Sequence, residues 1–219
     1  MIEIRDLKKS YGERTVLDIP ELTVRDGEAL AFAGPNGSGK TTLLRLLSGL
    51  LKSSGGTIKK PGRVLYLPQQ AYAFKGDLVR NITLTGADKE TADRLLQKLE
   101  LSALANKKAA SLSGGELQRL ALCRVLSVDC ELLLLDEPTS ACDVKGAELV
   151  IEAIREYKNK TGCTVLMSTH SPVLAAKAAD RLIFLNNGRI MADGKPKELL
   201  TNPGNEWAAS FIAGWKIEC

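Results

Sequence analysis

The chain alternates between short apolar runs and stretches in which apolar residues recur every three or four positions, the pattern of strands interleaved with helices. Residues 28–33, 63–67, 132–135, 164–169 and 182–185 are segments of strand length. The run of four leucines at 132–135 has no polar alternation, as a parallel strand covered on both faces requires. Residues 40–47, 120–126 and 149–157 instead carry apolar side chains at helical spacing. Ahead of these, Ile2, Ile4 and Leu7, then Val16, Leu17, Ile19, Leu22 and Val24, mark strands broken at Tyr11-Gly12 and at Pro20. They predict an antiparallel sheet leading into the parallel one. Residues 76–110 differ in character, because Leu95, Leu96, Leu99 and Leu101 lie on a helix over 88–101 that is otherwise covered by charge. A small helical subdomain, approximately 76–128, is therefore expected as an insertion in one α/β domain spanning 1–219. Residues 53–56 and 186–188 read as turns, and 197–201 and 207–213 as short helices.

Candidate chemistry sits at the ends of these elements. Residues 34–41 read Gly-Pro-Asn-Gly-Ser-Gly-Lys-Thr, which is G-x-x-x-x-G-K-T between a buried strand and a helix, the context a Walker A phosphate loop requires. Its glycines let backbone N–H groups turn inward on phosphate oxygens, and the helix start adds orphan donors and a positive dipole end. Lys40 is placed to reach β- and γ-phosphates and Thr41 to ligate magnesium. The leucine run ends in Asp136-Glu137, a Walker B pattern, and ligands of open parallel sheets gather at such C-terminal strand ends. Gln69 and His170, the only histidine, also stand at predicted strand ends. Ser113 with Glu116 forms a capping box, but Gly114-Gly115 in the first turn disfavours a helix and calls for a further reason, which an anion approaching bare N–H groups supplies. Asp143 reads as an N-cap. Tyr11, in a turn before the first long strand, has two readings: a platform for a nucleotide base or a partly buried packing residue.

Taken together, GPNGSGKT at 34–41, PQ at 68–69, LSGGE at 112–116, LLLLDE at 132–137, SACD at 140–143 and His170 resemble the ATP-binding cassette family over nearly the whole chain. LSGGE is the discriminating motif. The resemblance implies a P-loop NTPase core with a mainly parallel sheet, an antiparallel β subdomain and the inserted helical subdomain. It also implies an ATPase that uses ATP and Mg2+. Carried over residue by residue, it puts Tyr11 on adenine and Gly34, Asn36, Gly37, Ser38, Gly39, Lys40, Thr41 and Thr42 around the phosphates. Thr41, Gln69 and Asp136 would serve magnesium, with Gln69 also on the attacking water. Glu137 would be the general base and His170 the residue contacting the γ-phosphate. Ser113, Gly114 and Gly115 would close over the nucleotide of a second copy, so that hydrolysis needs a head-to-tail dimer with two nucleotides at its interface. Cys142 stands where a leucine is usual before the aspartate of that turn.

Composition narrows the setting by exclusion. At 44% hydrophobic and 26% charged residues, neither disorder nor a membrane protein is indicated. No apolar run approaches the ~18–20 residues of a membrane span, and the first residues lack the basic and apolar regions of a signal peptide. A cytoplasmic location is expected. The net charge of +4 is scattered over Lys8-Lys9, Lys59-Lys60 and Lys107-Lys108, which argues against nucleic acid as a partner. The five cysteines show no C-x-x-C pair and read as buried reduced thiols.

The resemblance thus points to the energy-coupling subunit of a transporter, more similar to importers than exporters, on the cytoplasmic face of the membrane. Its expected partners are a second copy, separate transmembrane permease subunits and an extracytoplasmic substrate-binding protein. The segment 71–78, with Tyr72 and Phe74, falls where the family receives a helix of the membrane subunit; the competing reading packs these rings inside their own subdomain. The alternative function is a soluble cassette ATPase with a mechanical or regulatory role. The relatives of that kind usually carry two cassettes or a long coiled-coil insertion, and the sequence shows neither. No regulatory domain is expected after Cys219.

Overall fold

The computed structural model of the chain describes residues 1–216, so Cys219 lies outside the described residues. Ile2–Tyr11 (β1) and Arg14–Val24 (β2) form the antiparallel ladder, from Ile2 opposite Val24 to Tyr11 opposite Arg14. Tyr11 closes β1 instead of lying in the turn. Ala29–Ala33 (β3) leads through the phosphate-loop segment into Lys40–Ser48 (α1). Gly55–Lys59 (β4) then pairs on the other side of β1, completing a three-stranded sheet in the order β2-β1-β4. The expected turn at 53–56 therefore runs straight into a strand.

Val64–Leu67 (β5) follows, and the chain leaves the sheet for the helical segment: Leu78–Thr83 (α2), Lys89–Lys98 (α3), two 3-10 turns at Ser102–Leu104 and Ala109–Ser111, and Gly114–Leu126 (α4). Asp77 and Asp88 start α2 and α3 by accepting the N–H groups of Arg80 and Thr91. Leu132–Asp136 (β6), Val144–Thr161 (α5), Thr164–Thr169 (β7), Pro172–Ala178 (α6), Arg181–Asn186 (β8) and Arg189–Gly194 (β9) return to the sheet. Pro196–Thr201 (α7) and Glu206–Lys216 (α8) close the chain. Asp143 caps α5 through the Gly146 N–H, as its position predicts.

The larger sheet runs β5-β6-β7-β3-β8-β9, with every pair parallel except β8 and β9. This is the α/β class read from the sequence. Alternate residues of its strands enter two cores. On one face Leu30, Phe32, Leu134 and Leu166 meet Leu43, Leu44 and Leu47 of α1, which is thereby pinned under the sheet. Each such leucine contributes about 1.5–3 kcal/mol of burial. On the other face Ala31, Leu133 and Val165 join Leu95, Leu96 and Leu99, so the helical segment shares one continuous core with the sheet. Cys123, Cys130 and Cys163 are buried thiols, while Cys142 is half-buried and so departs from the buried expectation. Burial pushes Cys123 up to about 12.

Candidate functional site

The site grows from the C-terminal ends of β3, β5, β6 and β7. Gly39 precedes α1 with φ +105°, a conformation L side chains rarely adopt, and gives the helix no side-chain cap. The first N–H groups of α1 therefore remain available to an anion. Gly34 is required for another reason, since a Cβ there would lie 2.0 Å from the Leu185 carbonyl oxygen. Lys40 is folded back into the loop, its Nζ donating to the carbonyls of Gly34 at 2.8 Å and Pro35 at 3.1 Å. Burial pulls its ammonium below the ordinary lysine range, against the opposing pull of Glu137 and Asp136. Ser38 is buried with its hydroxyl unpartnered, a group that phosphate oxygens would satisfy. Asn36 and Gly37 are exposed at the loop's crest, and Thr42 is half-buried in the first turn of α1.

Asp136 is fully buried at the end of β6 and takes three hydroxyl donors. Its Oδ1 accepts from Thr41 at 2.9 Å and Ser168 at 2.6 Å, and its Oδ2 accepts from the Tyr66 phenol at 3.1 Å. Burial, and then the adjoining Asp136 charge, push the Tyr66 phenol up to about 12. Glu137 follows in the left-handed region at φ +49°, a conformation worth about 1–2 kcal/mol of strain for an L residue. Its N–H donates to Ser168 Oγ at 2.9 Å, so one serine ties both carboxylate residues to β7. The Glu137 carboxylate accepts from Gln69 Nε2 at 3.1 Å and lies 3.6 Å from His170 Nδ1. Lys40, Thr41, Gln69, Asp136, Glu137 and His170 thus form one connected cluster.

Oxygen donors from Thr41, Asp136 and Gln69 suit a hard cation such as magnesium. Among the described residues no group of three His, Cys, Asp or Glu side chains forms a metal cage, so the cation would need oxygens from a bound phosphate as well.

Ser113, Gly114 and Gly115 are organised differently. The Ser113 hydroxyl accepts the Glu116 N–H at 3.4 Å, while Glu116 Oε2 accepts the Ser113 N–H at 2.7 Å and its hydroxyl at 2.8 Å. These bonds hold the Glu116 carboxyl below its ordinary range. A Cβ on Gly115 would come within 2.8 Å of the Ala141 carbonyl oxygen, so this glycine has a packing reason within the chain beside the anion reason read from the sequence. Gly114 has room, its added Cβ meeting only the Ala141 side chain at 3.8 Å. Among the described residues, no hydrogen bond joins 113–115 to the phosphate-loop segment. Tyr11 is 56% exposed with the Lys9 ammonium 4.9 Å from its ring centroid.

A groove of about 620 Å³ opens beside this cluster, walled by Leu65, Leu67, Pro68, Tyr72, Phe74 and Val125 among others. Tyr72 and Phe74 are 53% and 44% exposed, meet edge to face at 5.5 Å, and share the Arg124 guanidinium at 4.8 and 5.1 Å. Both rings thus lie exposed over Arg124 of α4.

Tyr66 and Ser168 escaped the reading of the sequence. Ser168 had a weak signal, a hydroxyl at the end of an apolar strand two residues before His170. Tyr66 had none beyond being an aromatic on a short strand.

A family profile described as ABC transporter matches residues 17–140. The chain is 38% identical over 210 residues to the tungstate uptake system ATP-binding protein TupC of Peptoclostridium acidaminophilum, covering 88% of this chain and 98% of that protein. It is 34% identical to the arginine transport ATP-binding protein ArtM of Bacillus subtilis strain 168, covering 97% and 98%. Among solved structures it is similar to a dimeric, post-hydrolysis state of the ATP-binding cassette MJ0796 bound to ADP and Pi, with TM-score 0.80, 26% identity, and 90% and 99% coverage.

Proposed function

The chain belongs to the ABC transporter family, and on that premise we propose that it is the ATP-hydrolysing subunit of an import system. The observation that carries the chemistry is the convergence of Gln69 and His170 on Glu137, beside the buried Lys40. In this reading 34–42 wraps the triphosphate, Lys40 and the N–H groups of α1 neutralise its oxygens, and Tyr11 offers its exposed ring to the base. Thr41, Asp136 and Gln69, together with phosphate oxygens, would hold magnesium, which would supply further neutralisation of charge on the transferred group. Glu137 takes a proton from water as the water oxygen bonds to the γ-phosphorus and the bond to the ADP oxygen breaks, with Gln69 orienting the water and His170 facing the γ-phosphate. Replacing Glu137 by Gln keeps the side chain's size and removes the base. Turnover should fall by about 10² to 10⁴ with MgATP binding retained, and near-parental turnover would refute the role.

Ser113, Gly114 and Gly115, whose bonds stay within their own helix start, serve a nucleotide held by a second copy. The dimeric form of MJ0796 supports that arrangement. Among the described residues no helix is long and apolar enough to cross a membrane, so the pore belongs to separate permease subunits. The groove with Tyr72 and Phe74 receives a cytoplasmic segment of those subunits, and the chain works at the cytoplasmic face. The permease and an extracytoplasmic binding protein choose the cargo, a reading supported by similar identity to relatives named for tungstate and for arginine. Detergent extraction followed by affinity purification of the chain should bring down a multi-span membrane protein. Purification of the chain alone from such extracts would favour a soluble mechanical or regulatory ATPase.

A further inference from the structure

We propose that Tyr66 is a positioning residue for the magnesium-organising carboxylate, acting through Asp136 and not on the nucleotide itself. The inference rests on the metal role proposed for Asp136. That carboxylate is buried and has its two oxygens anchored from different directions. Oδ1 is held by Thr41 of α1 and Ser168 of β7, and Oδ2, among the described residues, by Tyr66 at 3.1 Å. Because the torsion about the Cβ–Cγ bond is broad, the plane of the carboxylate is set by the bonds its oxygens make, and the phenol adds a restraint from the β5 side.

The geometry of β5 gives the phenol its reach. Tyr66 lies opposite Leu134 in the parallel ladder with β6 and packs with the cluster under α1, the face on which Asp136 also lies two residues further along β6. Its neighbours Leu65 and Leu67 pack with the opposite core cluster and wall the groove. Two residues beyond β5, Gln69 reaches Glu137. One four-residue edge strand and its exit thus hold both consecutive carboxylates, by Tyr66 to Asp136 and by Gln69 to Glu137. A phenylalanine at 66 would fill the same apolar space, so the hydroxyl is the part of the side chain that acts on Asp136.

The test compares Tyr66→Phe and Asp136→Asn with the parent chain, using Mn2+ as the metal probe and ADP as the nucleotide. ADP affinity is measured by calorimetry in excess chelator, Mn2+ affinity by electron paramagnetic resonance with ADP present, and folding by thermal melting. For Tyr66→Phe the metal-free ADP affinity and melting curve should match the parent while Mn2+ affinity falls about 10-fold. Asp136→Asn should lose more. Parental Mn2+ affinity in Tyr66→Phe, with Asp136→Asn impaired, would overturn the role of Tyr66 alone. Parental Mn2+ affinity in Asp136→Asn would instead remove the reading on which the inference rests. An equal loss of ADP affinity with and without metal would mark Tyr66 as a packing residue and likewise overturn it.

Discussion

The two glycine-rich segments of this chain present opposite states. Residues 34–41 lie inside a finished local environment: Lys40 is buried on two carbonyls, Thr41 reaches Asp136, and Ser38 keeps a buried hydroxyl without a partner. Residues 113–115 make their hydrogen bonds at their own helix start and, among the described residues, none to the first segment. Both begin a helix, yet only one is surrounded by carboxylates and a histidine. In the proposed shared site, 34–41 supplies one half of the phosphate contacts within the chain and 113–115 supplies the other half to a second copy.

The comparison breaks most severely at Lys40. Lys40→Ala removes the loop's only side-chain cation, and MgATP binding measured by calorimetry should be abolished; unchanged affinity would remove the phosphate role of 34–41. Ser113→Arg should stop hydrolysis while leaving ATP binding to the monomer close to parental, because the proposed role of Ser113 is at the other copy's nucleotide. A loss of monomer affinity as severe as that of Lys40→Ala would place both segments in one site.

Much of the first segment's surroundings was legible because the signals are local. The four leucines of β6 could only be a strand covered on both faces, and Asp136-Glu137 ended it. Gln69 and His170 were legible as polar residues at strand ends, but their meeting on Glu137 depends on β5, β6 and β7 being neighbours, which no local pattern states. Tyr66 and Ser168 were missed for that reason: each acts across a ladder, and hydrogen bonds between strands leave no periodicity. β4, β9 and α6 were missed for weaker patterns. β4 opens on two glycines, β9 has no fully buried residue, and α6 has only seven residues. Around the second segment, the capping box was readable from spacing, whereas the contact that requires Gly115 comes from Ala141, a turn beyond β6.

Smaller effects sharpen the contrast. Phe74→Ala should leave ATP hydrolysis by the isolated chain intact but reduce recovery of the membrane partner in detergent pull-downs; full recovery would exclude Phe74 from the docking surface. Glu116→Ala should lower stability by about 0.5 kcal/mol near neutral pH through loss of the capping box. Since the folded carboxyl is held below its ordinary value of 4.5, this contribution is complete above that value and is lost as pH falls through the lowered one. Thermal melts of parent and variant should therefore converge in acid, and a constant gap would exclude the ionised capping box as its source.

The shared site itself is tested most directly by trapping it. Glu137→Gln should bind MgATP without consuming it, and light scattering should then report twice the monomer mass with MgATP but not with ADP. Adding Ser113→Arg to the same chain should return the monomer mass although ATP still binds. A doubled mass that persists in the double variant would contradict a site completed by Ser113 of a second copy.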